Sequence, residues 1–175
     1  MATTKKEEKI VDEPKTAAKS EQPEELNLDA KVTLRSIADW ETGFTRIADG
    51  QGDVRIMPKG TVRLSRNEVI AQVQNGNALI GGIDGMGTHA TLYIDDQPTR
   101  VEVGFEEGKR KQKVFTNSLI AELFAINKND EFEEKFRDAI MTRAEKMAAI
   151  RAIRDLGLND FGKIRFIEQY TGYEV

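Results

Sequence analysis

The sequence predicts an α+β protein: a small β-barrel or sandwich with one inserted short helix, followed by a C-terminal helical segment and preceded by a disordered arm. Three observations carry this prediction. Residues 1–28 are rich in Lys, Glu, Thr, Ala and Pro, and hold only Ile10, Val11, Leu26 and Leu28 as sizeable aliphatic side chains. Short alternating apolar runs separated by turn residues fill residues 30–106. Beyond Phe115 the apolar period lengthens to three and four residues, the spacing of a helix face. The expected organisation is an arm over 1–28, a β-rich domain over 30–106 and a helical segment over 115–175.

The arm cannot bury enough apolar area to offset its backbone entropy, roughly 1 to 2 kcal/mol per residue. Its lysines at 5, 6, 9, 15 and 19 are interleaved with acids at 7, 8, 12, 13, 21, 24 and 25. It is expected to be a solvated tail, or a strap that orders only against a neighbouring subunit.

The first strand spans Lys31 to Ile37, with Val32, Leu34 and Ser36 on one face. Gly43 to Ile47 supplies a second, and Val54 to Ile56 a third after the Asp49-Gly50-Gln51-Gly52 turn. Met57-Pro58-Lys59-Gly60 reads as a tight turn, leading into a hairpin partner at Val62 to Leu64. Ser65 and Glu68 fit a capping box for a short helix stopped by Asn75-Gly76-Asn77. Ala78 to Ile80 and His89 to Ile94 read as strands, and Arg100 to Phe105 as the partner of a second hairpin. Trp40, Phe44 and Tyr93 are expected in the core.

Glu106 to Lys113 is a charged hinge. Thr116 or Asn117 can cap a helix through Ile126. Asn129-Asp130 can cap a single long helix running to Leu156, with Asp130 and Glu133 offering a second capping box. Phe132, Phe136, Ile140, Ala144, Met147, Ile150 and Ile153 form its apolar stripe, and Gly157 ends it. Asp160 starts a last helix with Ile164, Ile167 and Tyr170 inward.

The bulk numbers exclude several functions. The 175 residues suit one ordinary domain or two small ones. A net charge of −4 argues against broad, sequence-independent binding to a phosphate backbone. The chain has no cysteine, hence no disulfide framework, thiolate metal site or cysteine nucleophile. No run approaches the roughly 20 apolar residues of a membrane span. Lys5 and Lys6 lead into Glu7, Glu8 and Lys9 rather than into the apolar core of a signal peptide.

Few residues invite chemistry. The single histidine, His89, follows Asp84 in Asp-Gly-Met-Gly-Thr-His, which suggests an acid–base or metal pair. One His and one Asp do not fill a site of about four ligands, so His89 is expected to be structural. The Gly81–Gly87 run with Asp84 and Met86 lacks a following helix, and so reads as a contact loop rather than a phosphate cradle. Arg55, Lys59, Arg63 and Arg66 form one candidate basic patch, with Arg55 and Arg63 expected across a hairpin. Lys109, Arg110 and Lys111 form another. Neither is interleaved with the aromatics of a single-strand platform. No catalytic, cofactor or metal residues are assigned.

The stretch Val54 to Asn77, a hairpin leading into a capped Leu-Ser-x-x-Glu helix and a Gly stop, resembles small β-rich structural proteins from the head-gene regions of tailed bacteriophages. Such proteins often carry a Lys/Glu-rich N-terminal arm, which this chain matches in composition. The resemblance implies a non-enzymatic virion component, a homo- or hetero-oligomer that binds capsid or head subunits and is made in the host cytoplasm. A nucleic-acid-associated regulator is the second expectation, and an enzyme using Asp84 and His89 the third.

Overall fold

The computed structural model describes residues 26–175. The expected arm therefore lies outside the described residues except at 26–28. That stub is tied down: the Asn67 amide donates to the Leu28 carbonyl at 2.9 Å, and the Arg66 guanidinium to the Asn27 carbonyl at 2.5 Å.

The chain is a mixed α+β fold. Strands β1 (Lys31–Ser36), β2 (Thr42–Thr45), β3 (Asp53–Ile56) and β4 (Thr61–Ser65) lead into α1 (Arg66–Gln74) and α2 (Ala78–Gly81). Strand β5 (Leu92–Ile94) and α3 (Gln97–Glu102) follow. The helical part comprises α4 (Asn117–Phe124), α5 (Asn129–Ala139), α6 (Arg143–Leu156) and α7 (Phe161–Thr171). The strands pair as an antiparallel sheet in the order β4-β1-β5 and a separate ribbon β2-β3. Among the described residues no closed barrel forms.

β1 buries the side chains its alternation indicates: Val32, Leu34 and Ser36 are inside, while Lys31 and Arg35 are exposed. The expected hairpin between Val54–Ile56 and Val62–Leu64 is not a ladder. β3 pairs β2 with Arg55 opposite Gly43, and β4 pairs β1 with Arg63 opposite Thr33. The Met57–Gly60 turn does form, closed by the Gly60 amide on the Met57 carbonyl at 2.8 Å, but it carries the chain from ribbon to sheet.

Two expected strands are helices. Asn77 accepts from the Leu79 amide and caps α2 over Ala78–Gly81. Asp96 accepts from the Thr99 amide, and Pro98 sits in the first turn of α3 where its missing donor costs nothing. These caps outweigh the alternation of Arg100 to Phe105, and Val101 is left 52% exposed. The long helix expected to Leu156 is broken at Ile140, whose backbone is extended. Thr142 and Glu145 form a true capping box that starts α6 afresh. Neither expected box has this form. Ser65 caps α1, but Glu68 points elsewhere, and α5 is preceded by Lys128 at its N-cap position, with no side-chain cap.

Three apolar clusters hold the chain. Val32, Leu34, Val54, Ile56, Leu64, Val69, Ile80, Leu92, Ile94 and Phe105 join sheet, ribbon and α1–α2 into one core. Ile120, Phe132, Phe136, Ile140, Ile153, Phe166 and Ile167 join α4–α7, with edge-to-face contacts among Phe132, Phe136 and Phe166. A small third cluster of Ile37, Ala38, Ala90, Tyr93 and Ala144, with Trp40 and Phe115 against it, lies where the β lobe meets α6.

Candidate functional site

The first candidate basic patch disperses. Arg66 is buried and spends its guanidinium on Thr99 Oγ1 (2.9 Å), Asp96 (3.2 Å) and the Asn27 carbonyl. Burial would push the Asp96 carboxyl up, but Thr99 and Arg66 outweigh it and hold it below its ordinary range. Lys59 pairs with Asp39 at 3.3 Å, and Arg55 lies 4.0 Å from Glu41. Arg66 therefore ties Asn27 to α3, and Arg55 and Arg63 sit on separate sheets.

The second group converges. Asp84 accepts from the amides of Met86 (2.8 Å) and Thr88 (3.2 Å), folding residues 84–88 into a tight loop. Burial acts to raise its carboxyl, yet the Thr88 hydroxyl and these amides hold it below the usual range. Gly82 (φ 70) bridges to Thr88 at the base of the loop, and a Cβ there would collide with the Thr88 carbonyl. Residues 104–112 pack alongside. Phe105 lies against Gly87, and Gln112 Nε2 donates to the Gly87 carbonyl at 3.1 Å. Arg110 spans the Gly104 carbonyl and the Met86 sulfur, the latter at 3.9 Å. Met86 (42% exposed) thus stands beside exposed Arg110, flanked in sequence by exposed Lys109 and Lys111, and Ile83 (60% exposed) lies on the same loop as Met86. A shallow cleft of about 530 Å³, lined by Gln97, Val101, Glu107, Arg110 and Lys111, continues this face.

His89 is not paired with Asp84. Its Nδ1 lies 2.8 and 2.9 Å from the two carboxylate oxygens of Glu145, at the start of α6. Glu145 Oε2 also accepts from the amides of Met141 and Thr142 and from the Thr142 hydroxyl, each at 3.0 Å. One carboxylate thus completes the α6 cap and holds the β lobe. His89 takes a left-handed backbone (φ 55), an uncommon conformation for a residue with a side chain. Nearby, Tyr93 accepts from the Phe115 amide at 3.2 Å. Burial, opposed by that amide and reinforced by Glu145, pushes the Tyr93 phenol up to about 12. Sequence reasoning expected a structural histidine but missed its partner, Glu145. The Thr142-x-x-Glu145 capping signature was the available signal.

Beside the pair opens a groove of about 560 Å³ between the 113–116 segment, α4, α5 and the α6 start. Val114, Phe115, Leu119 and Ala139 give it an apolar wall, and Lys113, Glu122, Lys135 and Asp138 line it as well. Among the described residues no group of three or more His, Asp or Glu side chains is placed to hold a metal ion, and no helix is long and apolar enough to cross a membrane.

Comparison with protein-family models, with curated proteins and with solved structures finds no match.

Proposed function

We propose that this chain is a non-enzymatic structural or assembly protein of a tailed-phage particle, docking on other head or capsid subunits. The observation that carries the reading is the apposition of the Ile83–Met86 loop with Lys109–Lys111. Exposed apolar side chains rimmed by cations suit a protein partner with an apolar, acidic patch. The His89–Glu145 pair supports it from the other side, because the carboxylate is consumed by four donors in holding two lobes together. The same reading takes the sheet and ribbon over their common core as a small, incompletely closed barrel.

Native mass spectrometry of the purified chain, alone and with the products of its neighbouring genes, tests this. Assembly is expected with the wild type, and its loss with Met86→Asp combined with Lys111→Glu, both exposed positions that leave the cores untouched. A chain that stays monomeric and indifferent to every such partner overturns the reading. Tight DNA or RNA binding that falls steeply with salt would replace it with a nucleic-acid role for Lys109–Lys111.

A further inference from the structure

We infer that the groove beside His89 receives residues Lys9–Asp12 of a second copy of this chain, an inference that rests on the assembly reading. The groove calls for an occupant of particular chemistry. Its wall of Val114, Phe115, Leu119 and Ala139 leaves Val114 43% exposed, so an aliphatic side chain gains by covering it. Lys135 is already held by Glu131 at 2.6 Å. Glu122, Asp138 and Lys113 have no ion pair among the described residues. His89 gives Nδ1 to Glu145, and its Nε2 has no protein partner among the described residues. Two carboxylates and one ammonium around an apolar wall suit a peptide with a cation, adjacent aliphatics and then an acid.

Residues 1–25 contain that pattern once. Lys9-Ile10-Val11-Asp12 holds the only adjacent pair of large aliphatic residues in this stretch, with a lysine before it and an acid after it. Lys9 answers Glu122 and Asp138, Asp12 answers Lys113, and Ile10-Val11 covers the wall. The described chain begins on the α1–α3 side of the β lobe, where Asn27 and Leu28 are bonded to Arg66 and Asn67. The groove lies where that lobe meets α4–α6. On the assembly reading the groove is that of a neighbouring copy, and a segment received there would link successive subunits.

The test uses the full chain carrying a photoreactive phenylalanine at position 114, mixed as heavy-isotope-labelled and unlabelled copies. Illumination is expected to give cross-links between unlike copies that map to residues 8–13. Ile10→Asp with Val11→Asp is expected to lower their yield about tenfold or more, and Lys113→Glu to weaken it. A synthetic peptide of residues 5–15 is expected to compete, and the same peptide with both aspartates is not. Cross-links confined to single copies, mapping elsewhere, or indifferent to the aspartates overturn the inference. The assembly reading is judged separately by the native masses of the Met86 and Lys111 variant.

Discussion

Replacing His89 separates two opposing contributions at the lobe junction. His89→Ala removes the hydrogen bond from Nδ1 to Glu145 but leaves Oε2 with its three donors from Met141 and Thr142. A buried bond to a carboxylate contributes about 1.5 to 3 kcal/mol, so His89→Ala should cost about 2 kcal/mol. The backbone at this position stays left-handed (φ 55) whatever the side chain. A Cβ carries a penalty there of about 1 to 2 kcal/mol, which glycine escapes, at some gain in unfolded-chain entropy. His89→Gly should therefore be destabilised about 1 kcal/mol less than His89→Ala. Urea unfolding at neutral pH, followed by far-ultraviolet dichroism and by Trp40 fluorescence, measures both. Equal costs for the two variants would refute the backbone argument. A wild-type midpoint for His89→Ala would refute the claim that this pair fastens α6 to the β lobe.

Gly82→Ala should cost about 3 kcal/mol or more in the same urea assay, because its Cβ meets the Thr88 carbonyl at a positive φ. Glu68 is buried and accepts from the amides of Ile47 (3.1 Å), Ala48 (2.8 Å) and Asp49 (2.8 Å) and from Gln72 (2.8 Å). Burial pushes its carboxyl up, but Gln72 and those amides hold it below its ordinary value. A lowered folded value means its contribution is complete above the ordinary carboxylate range and fades as pH falls through the folded value. Glu68→Gln should lower stability at neutral pH and flatten the acid limb of a midpoint-against-pH curve; an unchanged limb would count against this. Arg66→Ala should cost about 3 kcal/mol by stranding Asp96, whereas Arg63→Ala should stay within about 0.5 kcal/mol of wild type, as thermal melts of the pair would show.

Where local chemistry acts alone, the sequence was legible. Ser65, Thr116 and Asp160 cap the helices they were expected to cap, and Gly157 closes α6 in a left-handed turn (φ 62). The alternation of β1 and the stripe through Phe132, Phe136 and Ile153 bury as their periods indicate. The failures come from competing signals. Val101-Glu-Val103 alternates like a strand, but the cap at Asp96 followed by Pro98 starts a helix whose valines stay partly exposed. The stripe runs on through Ile140 and Ala144, which concealed the break that Thr142 and Glu145 make. Pairing was less legible still, since β3 prefers its earlier neighbour β2 and β4 reaches back to β1.

The site was legible only in part, for a related reason. Local preference is most strongly overridden at Lys59 and His89, the two non-glycine residues with positive φ among those described. Both lie at the junction with α6. Lys59 shares Asp39 with Arg151 of α6, and His89 holds Glu145 at its first turn. Residues held against their backbone preference persist only where surrounding contacts over-determine them. The demand here is the attachment of a helical lobe to a small β core, which periodicity within either part cannot reveal. That attachment also forms one wall of the groove. Loosening it at His89 should therefore weaken any chain received there, even with Val114, Leu119 and Lys113 untouched.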